Sequence, residues 1–145
     1  MPKGYPDFYG FSVFPKWGPV VLDLVDVVIC IPGVTTTIHE VAGKGVITGG
    51  FCTPIGDFIA APPVLTLSID NEPPMLITVL NLWVSEVFSP SVGPIYLSDY
   101  RMDGTTMGFC FSPGVTFDES YTFTFLHNEV GNKNVHSLLF YTRIL

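Results

Sequence analysis

Val64 to Asp70 alternates without a break: Leu65, Leu67 and Ile69 hold one parity, and Thr66, Ser68 and Asp70 hold the other. A period of two marks a half-buried β-strand, because successive side chains leave a strand on opposite faces. Asn71-Glu72-Pro73-Pro74 then stops it. Just upstream, Val41-Ala42-Gly43-Lys44-Gly45-Val46-Ile47-Thr48-Gly49-Gly50 places four glycines around the β-branched pair Val46-Ile47. Glycine at this density fits a tight lead into a strand better than it fits a helix. These two stretches read as neighbouring strands, and they constrain the rest of the chain to a β architecture.

The remaining segments follow the same rule. Val20 to Ile31 is a long strand whose apolar parity switches near Leu24-Val25, which predicts a bulge. Pro32-Gly33 turns into a strand over Val34 to Val41, and Gly43-Lys44-Gly45 leads into Val46 to Cys52. Thr53 to Asp57 and Ala61-Pro62-Pro63 read as loops. Over residues 75 to 84, the spacing of Leu76, Val79 or Leu80, Trp83 and Val87 favours a helix started by Pro73-Pro74, although Ile77, Val79 and Val84 also suit a strand. Strands are expected at Ile95 to Tyr100, Thr105 to Phe111 and Tyr121 to Phe125. Asp103-Gly104, Ser112-Pro113-Gly114 and Asn128 to Asn132 are the turns between and after them. In the last strand, His136, Leu138, Phe140, Thr142 and Ile144 share one parity, and Val135, Leu139, Tyr141 and Arg143 the other. Large apolar residues on both predict a central strand covered on both sides. Nine or ten short strands with frequent turns make an all-β, antiparallel β-sandwich or jelly roll over residues 20–145.

Residues 1–19 read differently. Prolines at positions 2, 6, 15 and 19 exclude a helix and leave an extended arm, with room for one short strand at Tyr9 to Phe14. Tyr5, Phe8, Tyr9, Phe11, Phe14 and Trp17 are too many aromatics for a solvated tail. They are expected to pack on this domain or on a neighbouring subunit, which makes them the candidate assembly contacts.

Charged residues are only 13% of the 145, hydrophobic residues are 48%, and the mean hydropathy is +0.46. So little charge implies that much of the surface faces other protein. A membrane span is not expected. The longest apolar run, Val20 to Ile31, is interrupted by Asp23 and Asp26 and reaches about 12 residues where a spanning helix needs about 20. It also lies too far from the start, with no basic region before it, to be a signal peptide. Thirteen prolines argue against a membrane barrel. The net charge of −7, with six scattered Lys and Arg, argues against direct nucleic-acid binding. Cys30, Cys52 and Cys110 are odd in number and lack CxxC spacing, so they read as buried free thiols, with at most one bridged pair that spacing does not choose.

No chemistry emerges from the motifs. His39-Glu40, His127-x-Glu129 and His136 are the right types for zinc but show no HxH, HxxxH or HExxH spacing. The paired His-x-His of a cupin is missing. No two of the thirteen acids stand out as a glycosidase pair. The Gly43 to Gly50 stretch lacks GxxxxGK[ST], and Ser112-Pro113-Gly114 is no GxSxG elbow. Asp70-Asn71 reads as a turn initiator. The expectation is a protein with no catalytic residue, no cofactor and no metal. The competing reading is a carbohydrate- or receptor-binding sandwich of the tail-fibre kind, with Trp83, Tyr96, Tyr100 and Trp17 as stacking residues.

The Val41 to Gly50 stretch, followed by Leu65-Thr66-Leu67-Ser68-Ile69-Asp70-Asn71-Glu72, resembles a β-sandwich module of structural proteins of tailed phages and related viruses. In that family a Gly-Lys-Gly turn precedes a strand that closes on Asp-Gly-Glu, where this chain has Asp70-Asn71-Glu72. A segment like Phe117-Asp118-Glu119-Ser120-Tyr121-Thr122-Phe123 then leads to a strand ending in Asn, here Leu126-His127-Asn128. The likeness covers residues 34–145. It implies a capsid decoration or cement protein, or another virion surface component. Such a protein is a homo-oligomer, often a trimer, seated on a protein lattice, in the virion or else extracellular. No catalytic residue transfers with it.

Overall fold

A computed structural model describes residues 17–91, 93–100 and 107–144; for residues 17–19, 26, 100 and 144 it describes the backbone alone. The strands are β1 (Trp17–Cys30), β2 (Thr36–Ala42), β3 (Gly45–Ile55), β4 (Val64–Ile69), β5 (Met75–Thr78), β6 (Ile95–Tyr100), β7 (Met107–Phe111), β8 (Thr116–Phe117), β9 (Ser120–Leu126) and β10 (Lys133–Ile144), with one helix, α1 (Val79–Val84). They form two antiparallel sheets. The larger runs β1-β10-β3-β7-β6, with β8 beside β3, and the smaller runs β2-β9-β4-β5. The all-β sandwich expected from the alternation is the observed architecture.

The core lies between the sheets and is filled from alternate positions. Leu65 and Leu67 of β4, Tyr121, Phe123 and Phe125 of β9, and Phe109 and Phe111 of β7 are all fully buried. Phe111 meets Phe123 edge to face with centroids 4.9 Å apart, the arrangement that the ring quadrupoles favour. Gly50 is glycine because a Cβ there would run into the Leu138 carbonyl of β10 and the Phe111 ring.

Several expectations are corrected. The stretch 75–84 is not one helix. Met75–Thr78 is an edge strand on β4, and the helix begins only at Val79, where the Thr78 hydroxyl accepts the Asn81 N–H at 3.0 Å. The start signal was the threonine cap, not Pro73-Pro74. Strand β3 runs on through Thr53 and Pro54 to Ile55. Pairing with β7 covers only Phe51 and Cys52, so one side of β3 is an edge at Pro54 and proline removes no ladder bond there. Strand β1 starts at Trp17, inside the expected arm, where Trp17 pairs with Ile144. Its register shift falls between Val25 and Val28, slightly beyond the predicted switch. Strand β10 is central, between β1 and β3, but it is covered on one side only. Val135, Ser137 and Leu139 are buried while Phe140 is 36% exposed. A register shift between Phe140 and Tyr141 then turns Thr142 inward.

Candidate functional site: an open apolar sheet face

The faces of β1 run against the usual amphipathic rule. Asp23, Val25 and, past the bulge, Val28 and Cys30 face the interior, while Val20, Leu22, Leu24, Val27 and Ile29 face out. Leu22 is 48% exposed, Leu24 52% and Ile29 59%. The reason is a polar tie. Asp23 Oδ2 lies 2.7 Å from His39 Nδ1 on β2 of the other sheet, and His39 Nε2 lies 2.7 Å from Ser137 Oγ on β10. Holding Asp23 inward sends the alternate, apolar parity outward.

Strand register carries this apolar parity across the whole larger sheet. Leu24 pairs with Leu138, Leu138 with Phe51, Phe51 with Cys110 and Cys110 with Tyr96, one residue from each of β1, β10, β3, β7 and β6. Beside that row run Leu22, Phe140 and Gly49; on its other side come His136 and Thr53, and then Ile29, Asn134 and Ile55. A side chain added at Gly49 would meet nothing, so the face is open there. The outer face of the smaller sheet is the opposite in character. Its rows are Thr37, Thr124, Thr66 and Leu76, then Glu40, Thr122 and Ser68. The sandwich therefore has one broad polar side and one broad apolar side.

The interior holds an Asp23–His39–Ser137 chain whose order is that of a hydrolase triad. Its setting is not. Ser137 is fully buried, and its hydroxyl also lies 3.1 Å from the Phe51 carbonyl oxygen. No substrate can reach it, so the chain acts as a tie between sheets. Burial pushes the His39 pKa down, partly offset by the Asp23 carboxylate. At neutral pH the imidazole is uncharged and donates from Nδ1 to Asp23, while the single Ser137 hydroxyl proton is shared between the Phe51 carbonyl and His39 Nε2.

The stretches that carry the viral resemblance meet at one corner. The Gly43 N–H donates to the Glu119 carbonyl at 2.8 Å. Asp70, in the left-handed region at φ 56°, accepts N–H bonds from Asp118, Glu119 and Ser120 through Oδ1. Those bonds, led by that of Glu119, hold its pKa below the usual carboxylate value. Asn71 Nδ2 donates to Glu119 Oε1 at 2.7 Å, and Lys44 Nζ lies 3.4 Å from Asp118. This is turn chemistry, as the sequence reading of Asp70-Asn71 held.

The other singled-out residues are dispersed. His127 Nε2 donates to the Cys30 carbonyl at 2.7 Å, and Glu129 accepts from the N–H groups of Ile59, Ala60 and Ala61. His136 packs on Phe51, with ring centroids 5.9 Å apart. Among the described residues, no group of three His, Cys, Asp or Glu could hold a metal ion. The three cysteines are free, and burial raises the pKa of Cys30 and Cys52. Trp83, on α1, packs against the core, whereas Tyr96 lies on the opposite side of β6 from the buried Ile95 and Leu97. These two do not share one stacking platform. The side chain of Tyr100 lies outside the described residues, as do Tyr5, Phe8, Tyr9, Phe11 and Phe14; Trp17 is placed by its backbone at the start of β1. Among the described residues, no helix is long and apolar enough to cross a membrane.

The residues that sequence reasoning missed are those of the outer face, Leu22, Leu24, Phe51 and Leu138 foremost. Their signal was present in the large apolar residues on both parities of β1 and β10. No family model matches this chain, and no curated protein matches it.

Proposed function

We propose that this protein is a non-enzymatic structural component of a larger protein assembly, built to have the outer face of its larger sheet covered by protein. The carrying observation is the unbroken apolar row from Leu24 to Tyr96. On this face Leu22, Leu24, Ile29, Phe51, Ile55 and Phe140 are each between 36% and 59% exposed, and a cluster of large open apolar side chains on one side of a domain marks a contact surface. The polar outer face of the smaller sheet makes this one-sided, as an assembly contact would be. The specific form of the reading is a virion decoration or cement protein that associates with its own copies, such as a trimer, on a capsid lattice. It rests on the resemblance of the Gly43, Asp70 and Asp118 segments, which the fold brings to one corner.

The test is the native mass of the full chain by light scattering, beside a Leu24→Glu/Leu138→Glu variant. Both side chains face outward, so the charges do not enter the core. The wild type should associate and the variant should be a folded monomer. A wild type that remains a monomer at high concentration overturns the reading.

A further inference from the structure

The outer face needs an occupant, and the chain contains a segment that fits it. Sixteen residues precede Trp17 and lie outside the described part. They join the fold at a corner of this face, where Trp17 pairs with Ile144 at the start of β1. Extended at about 3.3 Å per residue, they reach roughly 50 Å. The five strands from β1 to β6 span roughly 20 Å at about 4.8 Å per spacing. Reach is therefore ample in either direction, over the chain's own face or over that of a neighbour.

Chemistry and area also match. The segment carries Tyr5, Phe8, Tyr9, Phe11 and Phe14, with only Lys3, Asp7 and Lys16 as charged side chains. Each aromatic ring buries roughly 150–250 Å², so several of them would cover the open side chains of Leu22, Leu24, Phe51 and Phe140. Gly49 of β3, opposite Phe140, carries no side chain, and nothing lies within 4 Å of where its Cβ would stand. The outer face of the smaller sheet offers less, since threonine and serine hydroxyls suited to water surround Leu76, Val64 and Leu126 there.

We infer that residues 1–16 of this chain are the segment that covers the outer face of the larger sheet, their rings lying along the row from Leu24 to Tyr96 and over Gly49. The inference rests on the same face as the assembly reading and adds what covers it.

The test uses the full chain with Cys110→Ser, so that no half-exposed native thiol remains and Cys30 and Cys52 stay buried. A nitroxide is attached at Phe8→Cys or, separately, at Phe14→Cys, and amide peak intensities are read by NMR. Amides of Leu24, Phe51 and Leu138 should lose intensity, while those of Thr66 and Thr124 keep theirs. Adding Leu138→Glu should restore the lost intensity. Equal loss on both faces, or loss on the threonine face, overturns the inference. So does full intensity at Leu24, Phe51 and Leu138 with both labels. If the chain still associates in that case and Leu138→Glu separates it, a second copy's sheet or another protein covers the face, and the assembly reading stands alone. A mixture of isotope-labelled chains with spin-labelled unlabelled chains settles the origin of the arm. Intensity loss in the mixture means exchange between copies. Loss confined to the singly prepared, monomeric chain supports the inference and removes the assembly reading.

Discussion

His39 Nε2 lies 2.7 Å from the Ser137 hydroxyl oxygen, although the two residues are 98 positions apart and sit on different sheets. Both are buried. Replacing Ser137 by Ala removes the hydroxyl that bridges His39 Nε2 and the Phe51 carbonyl and should cost about 1–3 kcal/mol. Chemical denaturation would read it as a lower midpoint with an unchanged slope, and an unchanged midpoint would show that the tie contributes nothing.

The same imidazole should make stability depend on pH. Burial places its folded pKa below the ordinary value of 6.5. As pH falls through about 6.5, the unfolded chain takes up this proton before the native state does, so stability declines. The decline ends once pH is below the folded value, where both states are protonated. Urea midpoints measured between pH 8 and 5 should fall in the wild type and fall less in His39→Gln. Equal slopes in the two proteins would exclude this residue as the source.

Tyr121 is fully buried, and its hydroxyl has no hydrogen-bond partner among the described residues. Burial accordingly raises its pKa. Tyr121→Phe removes the stranded hydroxyl and keeps the ring that packs on Phe117 at 6.0 Å. The expected result is a gain of about 1 kcal/mol, the lower end of the cost of an unsatisfied buried polar group. A loss on thermal melting would mean that the hydroxyl is satisfied in solution.

Glu129 gathers the N–H groups of Ile59, Ala60 and Ala61 at 3.2, 2.9 and 3.4 Å, and this fixes the loop beside Phe58. That ring in turn meets Phe125 and His127 edge to face. Glu129→Ala should speed hydrogen exchange at residues 59–61 and cost about 1–3 kcal/mol. Exchange rates that stay as they were would assign the order of this loop to Phe58 alone.

How far the chain was legible depends on how local each signal is. The alternation of Leu65 to Asp70 and of Tyr121 to Phe125 is written in adjacent residues, and both strands stand where it puts them. The inward turn of Asp23 is different, because its cause is an imidazole 16 positions away on another sheet. Pattern reading alone sends an aspartate to solvent. It therefore assigns Leu22 and Leu24 to the core, when they form the apolar exterior. Pro54 misled for a similar reason. Its place in β3 is allowed by where the pairing with β7 ends, which no nearby residue announces. The helix start failed locally: Thr78 was a legible cap, but the prolines before it drew the boundary too early.

The unlike sides of the sandwich have a geometric consequence. A slab that water wets on one broad surface and avoids on the other has a built-in top and bottom. Once the avoided side is covered, the broad surface left over is the threonine-rich one, which offers that same contact no second seat. An assembly made through this contact alone would be self-limiting, a single coat or a closed cluster, and a pile of indefinite height would require a different contact altogether.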